Sequence, residues 1–126
     1  HAEKFCERMT RDHLAGVSFH PCRYVAASGG YAGRELDGIR LTVTHAARFK
    51  PAEVSLALLQ ALAEQYGQPR VWHHKGVRAK WFDLLYGTSE TRKHVQAGKP
   101  LDALSTAWLR ERRAFTAARA SALLYA

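Results

Sequence analysis

The apolar residues between Gly38 and Gly67 change their spacing once, from every second residue to nearly every fourth, and that switch limits what the chain can fold into. Ile39, Leu41 and Val43 alternate with Arg40, Thr42 and Thr44, the period of a strand with one covered face. A turn through His45 to Phe49 then leads to Lys50-Pro51, and proline suits a first helical turn, where its missing N–H would have no acceptor anyway. Val54, Leu58, Leu62 and Tyr66 follow at four-residue intervals, with Leu59 and Ala61 widening the stripe, until Gly67 supplies a stop. A strand and a helix this close in the chain are expected to pack on each other and to form the core.

One domain with a modest core is the expectation for 126 residues, of which 47% are hydrophobic and 24% charged. No apolar run approaches the roughly 20 residues of a membrane span, and no charged-then-apolar signal segment opens the chain. It begins His1-Ala2, as a processed protein, a tag remnant or an excised fragment would, so its first residues leave localisation open. The net charge of +8 at pH 7 attracts anions in general, whether nucleic acid, lipid head groups or acidic wall polymers. The cations are dispersed, however. Lys75, Arg78 and Lys80 form one small group, Arg92 and Lys93 another, and Arg110, Arg112, Arg113 and Arg119 lie among alanines near the end. Such dispersal is the usual solvated surface, and nucleic acid is not the expected partner.

Cys6 and Cys22 allow one disulfide between the first helix and the first strand, but two unbonded buried thiols are the simpler expectation. His73-His74 is the densest pair among seven histidines. Sequence neighbours point apart and rarely chelate one ion, so neither a metal nor another cofactor is expected.

In chain order, Phe5 and Met9 at i and i+4 predict a short, half-exposed helix over about 2–11, which Gly16 ends. Val17 and Phe19 alternate with Ser18 and His20 as a strand, with Pro21 marking an edge or its end, and this strand is expected to neighbour the one at Ile39. Between them, Arg23 to Asp37 read as a loop of about fifteen residues with three of the nine glycines, two tyrosines, two arginines and the acids Glu35 and Asp37. Loops of that length in compact domains are usually functional or disordered rather than idle, so this is the first place to expect a site. After the central helix, Gln68-Pro69 reads as a return to extended backbone, Val71-Trp72 as a short strand, and both Trp72 and Trp81 as core. Trp81 to Leu85 form an apolar run ending at Gly87, and Ser89 with Glu90 reads as the cap of a helix over about 90–97. Pro100 opens a last helix whose Leu101, Leu104, Trp108, Arg112 and Phe115 share one face, and Leu123, Leu124 and Tyr125 are expected to tuck against the core. The sum is an α+β domain: a sheet of two or three strands covered by about four helices.

Several short motifs now fall in order: Phe19-His20-Pro21, Tyr31-Ala32-Gly33, Gly38 to Thr44 with Phe49-Lys50-Pro51, Phe82 to Gly87, and Trp108, Phe115 and Leu123-Leu124-Tyr125. Taken together, from about Val17 to Tyr125, they resemble the C-terminal domain of the exo-β-N-acetylmuramidase family, bacterial glycoside hydrolases formerly known as a domain of unknown function. This chain departs from that family's pattern at Leu36, where a cysteine is frequent, and at His45, where an aspartate often follows the strand. The resemblance implies a two-lobed parent that removes N-acetylmuramic acid from peptidoglycan fragments, with its catalytic carboxylates on a Rossmann-like N-terminal lobe and this domain closing one side of the cleft. It also implies an extracytoplasmic place of work. The implied partners are a muramic-acid-containing glycan and the N-terminal lobe.

Glycoside hydrolysis needs two carboxylates about 5 to 9 Å apart across the scissile bond. Glu35 and Asp37 are the closely spaced acids of the loop, but they read as solvated surface acids, and no catalytic residue is assigned in this chain. A muramyl ligand would instead find its lactyl carboxylate matched by Arg23 or Arg34, its sugar faces or hydroxyls by Tyr24 or Tyr31, and further hydroxyls by Glu35. Two other functions fit the composition: a basic module for nucleic acid or another polyanion, whose binding would fall steeply with salt, and a docking domain with an exposed apolar patch.

Overall fold

The computed structural model describes residues 1–73, 76 and 78–124. Its described elements are two strands and six α-helices, an α+β fold divided between two compact units, His1–Val77 and Arg78–Ala126. The first unit holds α1 (Ala2–Arg11), β1 (Val17–Val25), β2 (Glu35–Val43), α2 (Pro51–Tyr66) and α3 (Gln68–Trp72). The second holds α4 (Ala79–Tyr86), α5 (Ser89–Gln96) and α6 (Leu101–Arg119).

The strands form one antiparallel hairpin, registered from Val17 opposite Val43 to Val25 opposite Glu35. Pro21 lies inside β1, opposite Ile39, rather than at its end. In a sheet of two strands both are edges, so a residue without an N–H has a place there. The main partner of the hairpin is α1, not the long α2, and α1 also packs against α2. The short N-terminal helix is therefore the middle of the first unit rather than its margin. Phe5, Cys6 and Met9 are buried on it, and Phe19 is the buried residue of β1. Burying a side chain such as Met9 completely is worth about 1.5–3 kcal/mol.

On α2 the buried positions are Val54, Leu56, Ala57, Ala61 and Ala63, while Leu58 and Leu62 are half-buried and Tyr66 is exposed. The four-residue stripe thus marks the helix correctly but not its most buried side, where alanines replace leucines. Polar groups fasten α1 to α2: the Arg8 guanidinium donates through Nε to Glu64 at 2.7 Å and through a terminal nitrogen at 3.0 Å, and it also holds Asp12. These hydrogen bonds from Arg8 keep the Glu64 carboxyl below its ordinary value.

Beyond α2, Gln68 to Trp72 form a helical turn and a half, with the His73 N–H reaching the Pro69 carbonyl at 3.0 Å. The expected extended segment and short strand are absent there. Proline serves as a helix start at this point, the alternative role of the same residue. Trp72 is buried as expected.

In the second unit, Gly87 ends α4 in the left-handed conformation, and Thr88, one residue before the expected cap, accepts from the Glu90 N–H to start α5. Asp83 of α4 accepts two hydrogen bonds from Arg92 of α5, at 2.8 and 2.9 Å, and this grip holds its carboxyl below the ordinary aspartate value. Phe82 stacks on Tyr86 and Tyr86 on Trp108, which joins α4 to the first half of α6. His94 donates through Nε2 to the Pro100 carbonyl at 2.8 Å and fixes the α5–α6 corner. Two expectations fail here. Trp81 is exposed rather than core, and Leu123 and Leu124 are exposed rather than tucked in; Tyr125 lies outside the described residues. The apolar face of α6 is half-buried only as far as Trp108, with Arg112 and Phe115 exposed.

Gly16 closes the base of the hairpin. It has φ +77°, its carbonyl accepts from the N–H groups of Thr44 and His45, and a Cβ there would sit 2.5 Å from the His45 carbonyl oxygen. Gly16→Ala should therefore destabilise the first unit by about 2–4 kcal/mol in denaturant melts. Gly29→Ala, also at positive φ but with nothing within 4 Å, should cost only about 1–2 kcal/mol. Equal losses in the two variants would show that the close approach at Gly16 is unimportant.

The ion pairs set an acid limit. Glu64 and Asp83 are both depressed in the fold, so the stability they contribute is complete above their ordinary values of 4.5 and 3.8 and disappears as pH falls through the depressed ones. Melting temperature should fall on acidification below about pH 4.5, and the double variant Glu64→Gln, Asp83→Asn should melt lower at neutral pH with a flatter acid limb. An acid limb of unchanged slope would remove these two residues as its cause.

Candidate functional site

The region expected to be a fifteen-residue loop is mostly sheet. β1 continues through Arg23, Tyr24 and Val25, opposite Asp37, Leu36 and Glu35, so only 26–34 connect the strands. The connection is a compact tip around the 3-10 turn Gly29–Tyr31, closed by Ala26 N–H to the Arg34 carbonyl at 3.0 Å and Gly33 N–H to the Ala26 carbonyl at 2.8 Å. Gly29 and Gly33 take positive φ and let the chain turn this tightly.

This geometry sorts the five candidates into three places. Side chains alternate along a strand, and paired residues share a face. Arg23, Asp37, Val25 and Glu35 therefore lie on one face of the hairpin, and Tyr24 and Leu36 on the other. Arg23 donates through Nε to Asp37 at 3.0 Å, a solvent-exposed cross-strand pair. Tyr24 lies over Gly38, where a Cβ would come within 2.7 Å of its ring, so glycine at 38 makes room for the tyrosine. Tyr31 and Arg34 sit together at the tip, with the guanidinium carbon 5.7 Å from the ring centroid. That separation is a cation–π contact.

Arg34 is the cation of the set that pairs with no carboxylate among the described residues. Its guanidinium is braced on one side by a phenol ring and open on the other, an arrangement suited to taking a carboxylate bidentately. Glu35 and Asp37 share a strand face two residues apart, both exposed, and Asp37 is occupied by Arg23. A general acid needs a carboxyl shielded from water, and an open strand does not shield one.

A second concavity lies between α1 and β1, a cleft of about 290 Å³ lined by Met9, Thr10, His13, Ser18, Phe19 and His20 among others. His20 Nε2 is 3.2 Å from Ser18 Oγ on its rim. Sequence reasoning passed over it because the cleft forms where a helix meets a strand. The one signal available was the spacing of Ser18 and His20, which strand alternation places on one face. Among the described residues no three histidine, cysteine or acidic side chains come close enough to hold a metal ion. Cys6 and Cys22 are both free thiols; burial first, and nearby Cys22 second, push the Cys6 thiol up. His73 is exposed, and His74 lies outside the described residues.

A family model described as the C-terminal domain of the exo-β-N-acetylmuramidase NamZ matches residues 1–125. The crystal structure of a DUF1343 family protein from Bacteroides fragilis NCTC 9343 superimposes on the whole chain with a TM-score of 0.83 at 22% identity. The chain covers 33% of that protein's length. No curated protein matches the chain.

Proposed function

Because the chain belongs to the C-terminal domain family of the exo-β-N-acetylmuramidase NamZ, we propose that it is the substrate-binding lobe of a peptidoglycan-degrading glycoside hydrolase, without activity of its own. The observation that carries this reading is the family match over residues 1–125. In this reading the paired carboxylates that cleave the glycosidic bond belong to an N-terminal catalytic domain, and the lobe holds the muramyl end of the glycan against it. Peptidoglycan as the substrate gives the parent an extracytoplasmic place of work.

What supports the hairpin tip as the sugar-facing part is the chemistry at Tyr31 and Arg34. The lactyl group gives muramic acid a carboxylate that N-acetylglucosamine lacks, and an unpaired guanidinium distinguishes the two sugars by that group. Tyr31 holds the guanidinium in place and adds a ring edge for the sugar. Arg23 is already partly neutralised by Asp37, so it is the weaker of the two arginines. Tyr24, on the opposite face, and Glu35, on the Arg23 face, serve as flanking contacts.

Titration with a muramic-acid-containing disaccharide, followed by backbone amide NMR shifts at two salt concentrations, tests this. Saturable shifts confined to 23–37 and little changed by salt are expected. Arg34→Ala should weaken the dissociation constant roughly tenfold, or about 1.4 kcal/mol, and Arg23→Ala less. A disaccharide of N-acetylglucosamine alone should bind no better to the parent sequence than to Arg34→Ala. Shifts produced by an oligonucleotide and abolished by salt, with none from the sugar, would replace the sugar reading by a polyanion-binding one.

A further inference from the structure

Helix α4 has two faces of opposite use. Phe82, Asp83 and Tyr86 are engaged within the second unit by the aromatic stack and by Arg92. Trp81, Leu84 and Leu85, at i, i+3 and i+4 on the other side, are 61%, 65% and 71% exposed. Single exposed apolar side chains are ordinary, but three large ones on adjacent turns form a patch, and patches of this kind mark contacts with other surfaces. The second half of α6 is open as well: every residue from Leu109 to Arg119 is exposed, including Phe115. That segment carries Arg110, Arg112, Arg113 and Arg119 against the single acid Glu111.

We propose that the outer face of α4, Trp81, Leu84 and Leu85, is the seat of the N-terminal domain of the parent chain. This rests on the family placement above. The length of the related chain argues for this occupant: the superimposed Bacteroides protein is about three times as long as the part that matches, and the matching family is defined as a C-terminal domain. A lobe joined to a larger domain needs a lasting contact with it, and apolar side chains on a short, internally braced helix supply a rigid one. Charge argues against a second copy. At +8, and with four arginines on the open part of α6, two copies of this chain repel.

The test places a thiol on the patch by Leu84→Cys and, in a second protein, Leu85→Cys, so that one misfolding variant does not decide the matter. Maleimide labelling, read on the peptide that carries each introduced cysteine so that the native thiols Cys6 and Cys22 do not count, is followed in the 126-residue chain and in the longer chain that carries the N-terminal domain, with Thr42→Cys on the exposed part of β2 as a reference site. Labelling at 84 or 85 should be fast in the short chain and slower by on the order of tenfold or more in the long one, with position 42 setting the scale for access without docking. Equal rates at 84 and 85 in both chains overturn the proposal. So does protection in the short chain that rises with concentration together with a doubled sedimentation mass, because a second copy then occupies the patch. The sugar site fails separately: protection of the patch with no muramyl-induced shifts at the hairpin tip removes the ligand reading and keeps the docking face, and the reverse pattern removes the docking face alone.

Discussion

Helix α1 has to satisfy two neighbours at once, and the first unit depends on how it does so. Its buried residues Phe5, Cys6 and Met9 are few for ten positions, yet the helix packs against both the hairpin and α2. The narrow apolar stripe is supplemented by Arg8, which spends three of its five donors on Glu64 and Asp12. A charged residue so placed fixes the rotation of α1 against α2 more sharply than another leucine would, since guanidinium and carboxylate meet in one geometry only. With α1 held on that side, the hairpin can lean on its other side through Phe19 and leave its far end free. The tip of the hairpin is thus projected from a braced base.

What the residues announce and what they conceal follows from this arrangement. Helices beginning at Pro51 and Pro100 and strands around Phe19 and Leu41 were legible, because proline, glycine and apolar period act locally. The length of the strands was not. Arg23 to Val25 are all exposed and show no alternation, and Leu36 falls on the opposite parity from Ile39, Leu41 and Val43, so the apolar period of the strand does not run on to Glu35. Only the cross-strand register reveals it. Val71-Trp72 misled for the opposite reason: a β-branched residue beside an aromatic favours a strand in general, but here the segment continues from a proline-started turn and is too short for propensity to decide.

The sequence named the candidate residues but not their arrangement. Composition pointed to 23–37, where Tyr24, Tyr31, Arg34 and Glu35 do lie. It could not tell that Arg23 spends its charge on Asp37, that Tyr24 turns to the other face over Gly38, or that Tyr31 and Arg34 face each other. Those distinctions arise from the register of one strand against the other. A shift by one residue would exchange the faces, separate Arg23 from Asp37 and bring Tyr24 to the acidic side. Gly16, pinned between the two strand ends and the His45 turn, is the residue that forbids such a slip.

The direction in which the carboxylates are perturbed bears on what they can do chemically. A glycosidase needs one carboxyl held protonated, which burial away from cations achieves by raising its pKa. Glu64, Asp83 and Glu90 are all moved the other way, each chiefly by a hydrogen bond from a neighbouring arginine or lysine, and so remain ionised in neutral water. They join elements or brace a helix turn, and an acid engaged in that manner has no proton to lend. With this excess of cations in the chain, each of the three acids finds a basic partner within hydrogen-bond reach.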